Sequence, residues 1–367
     1  MDRRSFLRTT SAAAAAATAV TATSSAALAA SPDKPNRAAP SILRGQRELT
    51  LAMSWRDGTS GPADRAHRLA RRLEAALGGR WLIAPRQVVR GGIAALAAAG
   101  CDLYFGTEND NLEFHSAFAF YAALPGAGTF NADDLVAWLR IGGGQELWDD
   151  LAARFDVKPF LAGHLGLWPA LWSRQSIDSL ADLERRRIAV EGLARDVVRG
   201  IGAEPVEIAA DDLASALASG EIAAAEYGGV LTSVELGLAG AARHLNGFGI
   251  LEGGIGLSLG MRRSLWDSLG AADQLVVSAI LAEEAQTSIA EMRAHEKPLR
   301  AMIRDSHGVA FSPLPADVAI AVDRVAEAVV ADAASGDETA RRINRSYHAF
   351  RNAAWGVAGP LVAVPGA

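Results

Sequence analysis

Twice along this 367-residue chain, short apolar runs of strand length alternate with longer amphipathic runs of helix length. In the first block, 48–55 (ELTLAMSW) reads as a strand. The helix expected over 62–78 carries Ala66, Leu69, Ala70, Leu73 and Leu77 on one face and Arg and Glu on the other. A strand over 80–88, an Ala-rich helix over 91–99 and a strand over 102–106 complete it. The second block repeats the rhythm with strands at 186–190, 205–208 and 223–227 and helices at 194–201 and 212–219. Consecutive strands separated by helices join as parallel neighbours through helical crossovers, so each block predicts one α/β lobe. No internal sequence repeat accompanies the rhythm.

The remainder of the chain links the two blocks. Over 247–261, Ile255, Leu257, Leu259 and Met261 alternate with Gly256, Ser258 and Gly260, as in a strand long enough to run between lobes. Residues 271–306 keep apolar positions at helical spacing over a length well above the usual globular helix, which predicts a spine lying across both lobes. A last helical stretch over 316–350 breaks near Gly336, and 356–367 is expected to be irregular.

The N-terminus reads as an address. Arg3-Arg4-Ser5-Phe6-Leu7-Arg8 has the twin-arginine pattern of Tat export, and an Ala/Thr/Ser-rich stretch leads to small residues at Ala27-Leu28-Ala29. Residues 1–29 are therefore expected to be a Tat signal cleaved near Ala29, 30–46 a flexible tether, and the mature protein periplasmic. The formal charge is −6, and the signal carries three Arg and one Asp, so the mature part is near −8. An acidic balance of this size argues against nucleic-acid binding, which needs basic surface. The single Cys101 excludes an internal disulfide and reads as a core residue.

Few constellations suggest covalent chemistry. Gly256-Leu257-Ser258-Leu259-Gly260 matches G-x-S-x-G, but a nucleophile of that kind needs a sharp strand-to-helix turn, and Ser258 lies in smooth strand alternation. Gly142-Gly143-Gly144 fits no phosphate-binding spacing and reads as a loop before a helix over 145–155. Glu108-Asn109-Asp110-Asn111 has oxygen ligands for a hard cation, but such runs are usually turns. The seven histidines are scattered, and neither their spacing nor a cysteine pair indicates zinc.

Several segments, in order and spacing, resemble one family: FAFYAAL (118–124), GGGQELWD (142–149), VKPFLAGHLG (157–166) and the stretch 181–227. The chain resembles the solute-binding proteins of tripartite ATP-independent periplasmic (TRAP) transporters, of DctP type, nearest the branch that binds α-keto acids and other small carboxylates. The resemblance runs from about Leu49 to Phe350. It implies an α/β, two-lobed periplasmic-binding-protein-like fold with a ligand cleft between the lobes and a long helix and long strand crossing both. Lobe I is expected over 47–165 plus 255–300, and lobe II over 166–254 plus 301–355. The implied function is a non-enzymatic receptor that delivers a small organic solute to TRAP membrane permease subunits. The alternatives are a sensory binder for a membrane receptor, a Tat-exported hydrolase, and a degenerate family member that no longer binds the ancestral ligand type. A monomer is expected.

The resemblance also places the site. The family arginine that pairs bidentately with the ligand carboxylate falls on Ala189, and a glutamine that helps hold a bridging cation falls on Trp168. A Glu-Trp pair around cation and ligand is kept in part as Glu226-Tyr227. These four positions are the principal ligand-site candidates, Ala189 as a space-maker, with His115, His164 and Asn109 beside them. Glu226 is the candidate ligand of a bridging sodium or calcium ion. Losing the arginine forfeits hydrogen bonds to a charged group worth about 1.5–3 kcal/mol each. Trp168 and Tyr227 would instead favour a planar or apolar ligand, and Arg187, about 6.6 Å from Ala189 along a strand, is the nearest substitute cation.

Overall fold

The computed structural model describes residues 46–97, 100–166, 170–247, 249–251 and 253–355. The expected signal, most of the tether, Trp168 and the tail 356–367 lie outside the described residues.

Two sheets organise the chain. The first has strand order β2-β1-β3-β10-β4, formed by β1 (Arg47–Met53), β2 (Trp81–Gln87), β3 (Leu103–Gly106), β4 (Val157–His164) and β10 (Gly256–Arg262). The helix Pro62–Ala76 begins with proline in its first turn and buries Ala66, Leu69, Ala70 and Leu73 against this sheet. β1 runs parallel to both β2 and β3, and β10 is antiparallel to β3 and β4.

The second sheet has order β11-β9-β5-β8-β6-β7, with β5 (Ala170–Ser173), β6 (Arg187–Ala189), β7 (Glu204–Val206), β8 (Ala224–Ala225), β9 (His244–Gly247) and β11 (Ala310–Pro313). Here β6 runs parallel to β7 and β8, β9 runs parallel to β11, and β5 is antiparallel between β8 and β9. Both α/β blocks of the sequence therefore form a parallel part of a sheet.

Chain crossings tie the lobes together. The strand expected over 247–261 is strand only from Gly256, as β10 of the first sheet; β9 of the second sheet ends at Gly247, where that strand was expected to begin. The helix Ala271–His307 spans 37 residues, about 55 Å at 1.5 Å per residue. Val277 and Leu281 join the core with first-sheet residues such as Leu257, whereas Leu299 and Ile303 pack with Trp172 and Leu245 of the second.

The last helix, Glu338–Trp355, corrects the expected lobe boundary, because it packs on the first-lobe side. Tyr347 makes an edge contact with Phe120 at 5.5 Å, and its hydroxyl accepts the Phe130 N–H at 2.7 Å. The glycine triplet belongs to the same packing. A side chain at Gly142 would collide with Phe350, and one at Gly144 with the Trp138 indole.

Candidate functional site

Parallel α/β sheets place ligand groups beyond the carboxyl ends of their strands, because loops and helix starts converge there. Both sheets present those ends to one cavity of about 390 Å³. From the first lobe, Ser54 to Arg56 follow β1, and Val88 and Val89 follow β2. From the second, Val190 and Glu191 follow β6, Glu207 and Ile208 follow β7, and Tyr227 lies beyond β8.

The charges on this lining are unevenly satisfied. Arg56 of the first lobe pairs with Asp211 of the second at 3.8 Å. Arg195 donates to the Val190 carbonyl at 3.3 Å and pairs with Glu207 at 3.3 Å. Glu191 has neither a hydrogen bond nor an ion pair among the described residues. Burial pushes its carboxyl up to about 8; Asp110, Glu207 and Glu226 add to the rise, and Arg195 opposes it. Asp110 is pushed up to about 6 by burial, against the hydrogen bond that Ser54 Oγ donates to its Oδ2 at 3.0 Å. The Tyr227 hydroxyl is held well above its usual range by burial and by the fields of Glu191, Asp110 and Asp211.

Of the residues expected at the site, Ala189 and Tyr227 line the cavity. Asn109 is not on its lining. Both polar atoms of its amide are buried without a partner, and a Cβ at Gly192 would overlap Asn109 Oδ1, so this first-lobe side chain abuts the second-lobe backbone beside Glu191.

Three other candidates have structural partners away from the lining. The Glu226 carboxylate accepts the backbone N–H groups of Ile250 at 2.7 Å and Leu251 at 2.9 Å, which ties β8 to the segment before β10. His115 caps the turn at 116–118, accepting the Ala117 N–H at Nδ1 (3.1 Å), while its Nε2 meets Asp337 at 3.1 Å. His164 is buried, accepts the Gly166 N–H at 3.2 Å, and has its pKa lowered to about 3 by burial and by Arg65, so it is neutral. Arg187 does not substitute for the missing arginine, because it pairs with the half-exposed Glu221 at 3.2 Å.

The other chemistry read from motifs is also accounted for. Ser258 is buried and donates to Glu108 Oε1 at 2.6 Å, within a network that joins Tyr104 and Asn111. Its hydroxyl serves that network and no histidine, so G-x-S-x-G here is strand. Of the 108–111 run, Glu108 and Asn111 belong to this network. Cys101 is a buried free thiol. Among the described residues, no three His, Cys, Asp or Glu side chains converge to hold a metal ion. Each Glu226 oxygen accepts one backbone N–H group and keeps a second acceptor site, so these hydrogen bonds do not exclude the bridging ion that the resemblance implies.

Sequence reasoning missed Glu191, Arg195, Ser54, Glu207 and Asp211. Their common signal is position: each lies just past the end of a parallel strand or in the loop or helix that follows it.

Two sheets facing each other across a cleft, tied by a long helix, define a two-lobed ligand-binding architecture. The sequence matches the model of bacterial extracellular solute-binding protein, family 7 (DctP), over residues 129–337, and the chain belongs to that family. A curated relative from Nostoc sp. (strain PCC 7120 / SAG 25.82 / UTEX 2576), a monocarboxylate 2-oxoacid-binding periplasmic protein, is 26% identical over 236 residues. That match spans 64% of this chain and 64% of the relative's length.

Among solved structures, a TRAP transporter solute-binding protein from Bordetella bronchiseptica RB50 superposes with a TM-score of 0.78 at 21% identity, covering 85% of this chain and 93% of that one. It carries copurified calcium and picolinate in one active site. A TRAP periplasmic solute-binding protein from Colwellia psychrerythraea, with calcium and pyruvate bound, gives 0.78 at 20% identity, covering 84% and 96%. At these identities the likeness establishes the fold. No helix among the described residues is long and apolar enough to cross a membrane.

Proposed function

We propose that this protein is an extracytoplasmic receptor that captures a small organic solute between its lobes and hands it to TRAP permease subunits. The observation that carries the reading is the 390 Å³ cavity walled by strand ends of both sheets. A solute that touches both walls gains contacts only when the lobes meet, so binding favours closure. No bond needs to be made or broken. In this reading the Tat signal over 1–29 directs export and is cleaved near Ala29, and the receptor acts as a monomer in the periplasm.

The relatives bind 2-oxoacids, pyruvate and picolinate. This chain departs from that chemistry at Ala189, where the resembled branch has its carboxylate-binding arginine, and at Trp168, where that branch has a cation-holding glutamine. We therefore expect pyruvate and other keto acids to bind weakly or not at all, and an aromatic, apolar or neutral solute to be preferred over them. A solute library screened by thermal shift, with hits followed by small-angle scattering, tests the receptor reading. A hit that both stabilises the protein and reduces its radius of gyration is the expected result. Stabilisation without compaction would sink the closure mechanism, and micromolar affinity for pyruvate by calorimetry would sink the ligand expectation.

A further inference from the structure

The identity of the solute can be narrowed from the charges in the cavity, an argument that rests on the receptor reading above. Five charged residues line it. Arg56 is matched by Asp211 and Arg195 by Glu207, which leaves Glu191 as the carboxylate without a partner among the described residues. The position two residues earlier, where the resembled family has an arginine, is Ala189. Behind the wall lie further acids: Asp110, held by Ser54, and Glu226, held by Ile250 and Leu251. The buried, unpartnered Asn109 amide abuts the same Glu191–Gly192 turn. Tyr227 adds an aromatic surface of the kind that attracts cations.

We propose that the cavity takes a solute bearing an ammonium group, with the Glu191 carboxylate as its counter-ion. An unpaired carboxylate in a partly buried cavity is costly unless a proton or another cation compensates it. The empty cavity holds a proton on Glu191 at neutral pH, consistent with a carboxyl raised to about 8. An arriving ammonium group replaces that proton as the compensating charge. Glu191 ionises, the proton passes to solvent, and the ion pair forms. A solute with only a carboxylate could displace the exposed Glu207 from Arg195, but it would leave Glu191 without a counter-ion and sit in the fields of Asp110 and Glu207. A carboxylate on the same ammonium solute is compatible, because the partner of Arg195, Glu207, is 80% exposed and easily displaced.

The test uses the mature protein and three arms of small solutes: amines and amino acids, keto and hydroxy acids without nitrogen, and neutral polyols. Hits are titrated by calorimetry at pH 7 in two buffers of different ionisation enthalpy, with the parent and with Glu191→Gln. The expected result is binding from the first arm, release of close to one proton per solute, and at least tenfold weaker binding without proton release in the variant. The variant should melt no lower than the parent, which separates loss of a counter-ion from loss of fold. Binding confined to the other two arms, or amine binding unchanged in Glu191→Gln, would overturn the inference and leave the receptor reading intact. Failure of every arm to bind would overturn both.

Discussion

Replacing Glu191 with glutamine should make the empty protein more stable above about pH 4.5, by a margin that grows until about pH 8. In the folded protein the Glu191 carboxyl titrates near 8, against 4.5 as the ordinary value. Between those two pH values the unfolded chain gives up a proton that the folded chain keeps, so the unfolded state is favoured progressively as pH rises. Each tenfold difference in proton affinity is worth about 1.4 kcal/mol, so the full penalty above pH 8 is at most about 5 kcal/mol. Partial solvent access at the cavity lowers this, and we expect about 2–5 kcal/mol. Glutamine mimics the protonated acid at low pH and cannot ionise, so the variant escapes the penalty.

Urea unfolding of parent and variant at pH 4.5, 6, 7 and 8.5 reads this directly. The two should be close at pH 4.5 and diverge steadily, with the variant ahead by the largest margin at pH 8.5. His164 acts in the opposite window. Its folded pKa of about 3 means that stability falls as pH drops from 6.5 towards 3, and this contribution is common to both proteins and cancels in the difference. Asp110 does not cancel in this way, because its charge acts on Glu191 and the two titrations are coupled. A stability difference constant to within about 0.5 kcal/mol from pH 4.5 to 8.5 would refute the reasoning, because Glu191 would then ionise like an exposed carboxyl.

Other perturbations probe the frame around the site. Glu284 of the long helix is fully buried between Arg68 and Arg72 of the helix Pro62–Ala76, with Arg72 Nη1 at 3.0 Å. Glu284→Ala removes the buried acid while Arg68 keeps Glu291 and Arg72 keeps Glu283, and should cost about 1–3 kcal/mol by denaturant unfolding, with no measurable loss counting against the pairing. Gly192 has φ +57°, and a side chain there meets Asn109 across the lobes. Gly192→Ala should cost about 1–2 kcal/mol for the left-handed backbone, plus a clash that Asn109→Ala relieves. Strict additivity in that double-mutant cycle would mean the two residues do not touch in solution. Gly260→Ala drives a methyl into the Tyr104 ring, whose hydroxyl is tied to Glu108 at 2.8 Å, and should cost about 1–3 kcal/mol of overpacking by the same assay.

The order of strands and helices was legible because periodicity is local. The strand over 48–55, the helix over 62–78 and the whole second block lie within a few residues of β1, Pro62–Ala76 and β6 to β8, and the long helix spans 271–307 against an expected 271–306. Family membership was legible for a similar reason: motif spacing survives along the chain. What a side chain does at the site was much less legible. Glu226 was expected beside an ion, but its carboxylate holds two backbone N–H groups, a role that depends on where Ile250 and Leu251 are delivered by the return from β9 to β10. His115 and His164 were both expected beside the ligand, yet one caps a turn and the other is neutral in the interior.

Residue order alone carried the alternation of elements and the long helical run over 271–306, because periodicity is local. Only the tertiary structure decided that Arg56 finds Asp211, that Arg195 finds Glu207 and that Glu191 finds no one. Charge compensation depends on distances between residues far apart in the chain, and those distances exist only once two sheets have brought their strand ends together.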